Sequence, residues 1–171
     1  MKPSGPGNVD AMSMYSEVPL QSQEFCLASC RALTHDVFPG LDLQREIQSV
    51  AAQKIGETVL IHDGTELVGF AICHLGKGSE AGSGSAYLKF GGVRPGPNAA
   101  ESFARLLSAC EALAHNRGLA RVVAGVNTAR HDAYQIMLHH GFRTMMQGVA
   151  MQSPNEPGYN RPDRFVIDDW R

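Results

Sequence analysis

A chain of 171 residues with 43% apolar content is long enough to close one sizeable core and too short for two, so a single domain is expected. A net charge of −2, with basic residues scattered rather than striped, lacks the electrostatic footprint of a partner for nucleic acid or anionic lipid. No stretch approaches the roughly 20 apolar residues of a membrane span, and Cys26, Cys30, Cys73 and Cys110 lie in apolar periodic segments, as buried hydrophobes do in a reducing, cytoplasmic compartment.

The opening is rich in Pro, Gly and Ser, and residues 1–20 are expected to be a flexible extension ahead of a domain over residues 21–171. Helical spacing of Phe25, Ala28, Ala32 and Leu33 predicts a first helix over residues 21–34 with Ser22 as its N-cap. A second follows Asp42 with Leu43, Ile47, Val50 and Ala51 inward and Gly56 as the glycine that ends it. The period then becomes extended. Residues 58–62 and 67–74 flank the turn signal Asp63-Gly64 and read as a hairpin. After a Gly/Ser loop, residues 86–93 form a third strand whose interior Gly91 and Gly92 mark a bulge or the close approach of a backbone or ligand.

Asn98 opens the strongest helix, with Phe103, Leu106, Leu107, Cys110, Leu113 and Ala114 on one face until Arg117-Gly118. Residues 121–126 follow as an apolar strand, and a crossover of this length makes the Ala86 and Arg121 strands parallel. Thr128 is the expected cap of another helix, with Tyr134, Met137 and Leu138 inward and His139-His140 at its end. A strand over residues 143–152, a loop with three prolines and a last strand at Phe165-Val166-Ile167, antiparallel to its predecessor, complete the chain.

Leu67-Val68-Gly69-Phe70-Ala71, Val93-Arg94-Pro95, and the pairing of Gly125-Val126-Asn127 with Gly141-Phe142 resemble the GNAT superfamily of N-acyltransferases. The similarity runs over residues 21–152, and residues 165–171 resemble the end of some bacterial members. The resemblance implies an α/β (α+β) fold: a mixed central sheet of six to seven strands flanked by helices, with a V-shaped splay between the Ala86 and Arg121 strands. It also implies acetyl-CoA as cosubstrate, its pantetheine arm pairing with strand backbone at Gly91, Gly92 and Val93, and Asn127 among the cofactor-binding positions.

In such enzymes a glycine-containing loop presents amides at a helix N-terminus to the pyrophosphate, where the helix dipole and unpaired donors favour an anion. Here that stretch departs from the pattern. One alignment places Asn98-Ala99-Ala100-Glu101-Ser102-Phe103 in the loop, without either glycine and with Asn98 and Glu101 at the spacing of a capping box. The other places Arg94 and Gly96 at the phosphates. Both stay open. A second departure is Met137, which stands where many members carry the Tyr that protonates the departing thiolate; Tyr134, one turn earlier, is the candidate catalytic acid.

His74, Glu80 and His131 are the candidates for taking the proton of an incoming ammonium. No metal site is expected. The resemblance implies one of two functions. The first is acetyl transfer from acetyl-CoA to an amine of a small molecule or peptide; the second is a weakened domain that senses CoA or serves as a scaffold or dimerisation module. A small-molecule amine is the expected partner, without nucleic acid or membrane, and a homodimer is compatible with the sequence.

Overall fold

The computed structural model describes residues 12–151 and 156–168. Met12–Met14 forms β1 and Tyr15–Glu17 a single 3-10 turn, within the segment expected to be a flexible extension. β1 pairs antiparallel with β2, Gly56–Asp63, with Ser13 opposite Leu60. The Tyr15 side chain is buried, and Ser16 donates from both N and Oγ to the buried Glu57 carboxylate. A carboxylate inside a sheet needs such donors, so this contact ties the Tyr15–Glu17 turn to β2.

Two helices follow, α1 (Leu20–Val37) and α2 (Gln44–Gln53). Of the expected inward face of α1 only Leu33 is buried; Phe25, Ala28 and Ala32 are exposed, and Leu27, Cys30, Thr34 and Val37 are buried with Leu33 instead. The helix carries apolar residues on two stripes, and the one with more branched side chains packs. Gly56 does not end α2 either. Lys54 takes the left-handed conformation at φ 55° there, and Gly56 opens β2, where an added Cβ would lie 1.9 Å from the Cys73 carbonyl oxygen.

β2 turns at Gly64-Thr65, with Asp63 opposite Glu66, into β3 (Glu66–Leu75), which pairs antiparallel with β4 (Ser85–Val93). The crossover helix α3 (Ala99–Asn116) returns the chain to β5 (Arg121–Ala124), parallel to β4. All six residues expected on the inner face of α3 are buried. Next comes α4 (His131–His139), and β6 (Val166–Asp168) completes a six-stranded mixed sheet.

One core lies between the sheet and α3 and α4, centred on Leu88, Phe103, Leu106 and Met137. A second lies between the sheet and α1 and α2, centred on Leu33, Ile47, Phe70 and Phe90. The expected strand over residues 143–152 does not form where described: residues 143–151 make no ladder, and residue 152 lies outside the described part. β6 is antiparallel as expected, but its partner is β4. Apolar Phe165, Val166 and Ile167 bury both faces by filling a sheet interior, which an exposed hairpin with residues 143–151 would not do.

Candidate active site

Between β3 and β4 the register shifts: Ile72 faces Phe90 and Cys73 faces Leu88, so Lys89 is an extra residue with no partner on β3. Such a bulge bends and twists its strand. Its place matters, because the parallel ladder with β5 ends at Leu88 opposite Ala124. Beyond Lys89 the two strands diverge. The gap has backbone of β4 on one side and Gly125, Val126 and Asn127 on the other.

Gly91 and Gly92 lie on the β4 wall of that gap, and both face β6, which pairs Gly91 with Ile167 and Gly92 with Val166. The amide of Val93 donates to Phe165 O at 3.3 Å. The sequence sites at Gly91, Gly92 and Val93 are thus brought together on one strand edge, alongside a segment of the same chain.

Immediately past β4 the chain enters α3 through Gly96, at φ +153°. Asn98 occupies the N-cap position and makes no side-chain cap bond, so the expected capping box is absent. Its cause is the backbone: Asn98 has φ −96° and ψ 6° rather than the extended angles a capping side chain needs. The Ala99 amide donates to Gly96 O at 3.1 Å. The small residues Ala99 and Ala100 leave the helix start uncovered by side chains, with Ala100 and Asn98 exposed. Glu101 lines a surface groove with Met12, Ile61 and Arg105.

Arg94 is brought near this start by sequence but is tied elsewhere. Its guanidinium pairs with Asp36 on α1 and, through Nε at 3.1 Å, with Glu66 on β3. The far wall ends in an Asx turn, where Asn127 Oδ1 accepts from Ala129 N at 2.9 Å and Asn127 O from Arg130 N at 2.9 Å. That turn displaces the expected Thr128 cap, and Arg130 takes the N-cap position of α4 instead.

Arg130 was not legible as a site residue, since arginine is rarely buried. Only 1% exposed, it donates to Val166 O at 2.6 Å, to Asp168 Oδ1 at 2.7 Å and to Asn160 Oδ1 at 3.0 Å. It also stacks 5.0 Å from the centre of the Tyr159 ring. Tyr159 donates to the second Asp168 oxygen at 2.7 Å. Burial first, then the charge and hydrogen bond of Asp168, raise the Tyr159 phenol above its ordinary value, with Arg130 pulling the other way.

On α4, Met137 is buried in the core, whereas Tyr134 is half-buried and its hydroxyl shares a 3.2 Å hydrogen bond with Thr144 Oγ1. On the α2 side of the sheet, His74 is 3% exposed with Glu46 and Glu80 oxygens at 3.8 and 3.9 Å from its two ring nitrogens. The Tyr87 ring meets it edge-on, and Lys89 pairs with Glu80 at 2.9 Å. His131 is exposed at the first residue of α4.

No family model and no curated protein matches the sequence. Solved structures do match. A probable acetyltransferase superposes with a TM-score of 0.61 at 12% identity, covering 85% of this chain and 99% of that one. Aminoglycoside 6'-N-acetyltransferase AAC(6')-Ih from Acinetobacter baumannii gives 0.58 at 14% identity, with 84% and 98% covered. Ribosomal-protein-alanine N-acetyltransferase from Brucella melitensis biovar Abortus 2308 gives 0.54 at 11% identity, with 83% and 99% covered. The chain has the GNAT fold.

Within the GNAT fold the gap beyond Lys89 is the V-shaped splay expected between the Ala86 and Arg121 strands. Among the described residues no helix is long and apolar enough to cross a membrane. The four cysteines are free, with Cys73 and Cys110 sulfurs 3.9 Å apart. Hydrogen bonding to Cys73 and full burial push the Cys110 thiol well above its ordinary value, which keeps it protonated and inert.

Proposed function

We propose that the protein is an acetyl-CoA-dependent N-acetyltransferase acting on an amine of a small molecule in the reducing cytoplasm. The observation that carries this reading is the divergence of β4 from β5 at the Lys89 bulge, followed at once by a helix start that no side chain caps. A helix N-terminus with unpaired amides favours a diphosphate, and α3 offers its own at the exposed, uncapped turn around Ala100, reached through Gly96 and Asn98. The backbone at Gly91, Gly92 and Val93 is the edge for the pantetheine arm, and Asn127 borders the same gap. Arg94 stands close enough in sequence to contribute positive charge, but only by leaving Asp36 and Glu66. Neighbours of this fold give the reading support: AAC(6')-Iy was solved with CoA and with a bisubstrate analogue.

In this reading the thioester carbonyl is polarised by strand amides at the end of β4, and much of the rate comes from holding amine and thioester together. Tyr134 is the residue assigned to protonate the leaving thiolate, in exchange for its bond to Thr144. The Glu46 carboxylate, beside His74, puts negative charge on the α2 face that Lys89, paired with Glu80, does not offset, which suits an ammonium acceptor. The test is thiol release from acetyl-CoA with a panel of primary amines, alongside a thermal shift with CoA. Stabilisation by CoA and amine-dependent release are expected; neither one appearing overturns the reading. Tyr134→Phe should lower turnover by about 10² or more if the phenol is the acid, with KM for acetyl-CoA unchanged.

A further inference from the structure

The edge of β4 that a cofactor arm would use already has a partner in this chain. β6 runs antiparallel along Phe90, Gly91 and Gly92, and on its other side Asp168 N reaches Gly125 O at 3.2 Å. Three residues therefore bridge the gap between the diverging strands. Val166 and Ile167 are fully buried, Ile167 in the core under α3 and Val166 in the core under α1 and α2. Phe165 adds a ring contact with Phe103 of α3, centroids 5.7 Å apart.

Side chains lock the strand in place. Arg130 belongs to the far wall of the gap, positioned by the Asn127 turn, and it grips β6 by a backbone carbonyl and by the Asp168 carboxylate. Tyr159 holds the other oxygen of the same carboxylate and stacks on Arg130. The ladder alone covers three residues. A buried guanidinium with three acceptors and an aromatic face is a stronger hold than so short a strand needs for register.

We propose that β6 is an internal competitor for the cofactor: it occupies the β4 edge in the resting chain and undocks when a pantetheine arm pairs there. The Arg130, Asp168 and Tyr159 lock sets how often it does so. This rests on the reading of the gap as an acyl-CoA cleft. The same backbone groups cannot serve two partners, and the space that Val166 and Ile167 fill is the space an arm would need. Apparent affinity falls in proportion to the open fraction, so a strand undocked in about one molecule in a hundred would weaken cofactor binding about a hundredfold.

The test uses the full chain with Asp168→Asn and Tyr159→Phe, which loosen the lock while keeping the apolar residues of the strand. CoA is titrated calorimetrically, and hydrogen exchange of the amides at residues 165–168 is followed with and without CoA. Asp168→Asn should bind CoA about tenfold tighter than the parent and Tyr159→Phe by a smaller factor, on the scale of one hydrogen bond to a charged group. In the parent, saturating CoA should speed exchange at residues 165–168 while the amides of residues 90–93 stay protected. CoA bound to the parent with residues 165–168 still protected would overturn the competitor and leave the acyl-CoA reading standing. So would lock variants that exchange faster yet bind no tighter. Should Asp168→Asn fail to fold, Tyr159→Phe carries both readouts, and absence of CoA binding by every folded variant would overturn competitor and cleft together.

Discussion

The two halves of β4 are built from one continuous strand and are held in opposite ways. Ser85 to Leu88 pairs in parallel with β5, which arrives directly from the crossover helix and is itself only half-buried. Phe90 to Gly92 pairs antiparallel with β6, which arrives from the far end of the sequence, is fully buried at Val166 and Ile167, and needs Arg130 to hold it. The first half is secured by connectivity. The second is an edge that the bulge at Lys89 frees, and freed backbone groups in a sheet interior must find a partner. A ligand would be one such partner, and the chain supplies another.

The largest expected effect tests whether the halves differ in stability as well as in partner. Leu88 and Ile167 are both fully buried in the core beneath α3. Leu88→Ala should destabilise the whole domain by about 2–5 kcal/mol, the range for a buried leucine whose cavity does not collapse. Ile167→Ala should cost less, because its loss is capped by the free energy with which β6 docks. Urea unfolding of the two variants measures the difference. Equal losses, with no selective rise in amide exchange at residues 165–168 in Ile167→Ala, would show β6 to be as integral as the first half of β4.

A smaller effect separates the lock from the strand. Tyr159→Phe removes one hydrogen bond to a carboxylate and should cost about 1–2 kcal/mol at pH 7. The phenol is raised in the folded state above its ordinary value of 10.0, so its contribution is complete below about pH 10 and is lost as pH rises beyond it. The parent should therefore lose stability above pH 10 more steeply than Tyr159→Phe, and the gap between them should narrow. Parallel stability curves from pH 8 to pH 11 would rule out the ionisable phenol as part of the lock.

Most of the fold is legible in the amino-acid pattern, and α3 shows why. Its apolar residues fall on one stripe, so all of the expected inner face is buried. On α1 two apolar stripes compete around Leu33, and only packing against Phe70 and Phe90 decides for Leu27 and Cys30 over Phe25 and Ala28. The site is partly legible for a similar reason. Glycines in a strand announce the β4 edge, but the occupant of that edge depends on contacts about 76 residues apart, Gly91 with Ile167, which no local pattern carries. The capping box at Asn98 and Glu101 has the right spacing and the wrong backbone angles. Arg130 reads in sequence as one more surface charge.

The smallest effect bears on why β4 carries glycine where it does. An alanine Cβ at Gly91 would lie 3.5 Å from Ala71 Cβ and 3.7 Å from Ile167 Cβ, ordinary contact distances, so the docked strand leaves room for it. At Gly92 the nearest atom is the Phe90 ring at 3.3 Å, a slightly tighter fit. Replacing Gly91 also restricts the unfolded chain, which by itself stabilises by about 0.4–1 kcal/mol where the native backbone permits it. Gly91→Ala should then unfold at the same or slightly higher urea concentration than the parent. Its cost should appear only with the cofactor, as CoA affinity weakened several-fold by a methyl group on the wall that the arm approaches. A clear loss of stability in Gly91→Ala, with CoA affinity unchanged, would mean that the glycine serves β6 and not a ligand.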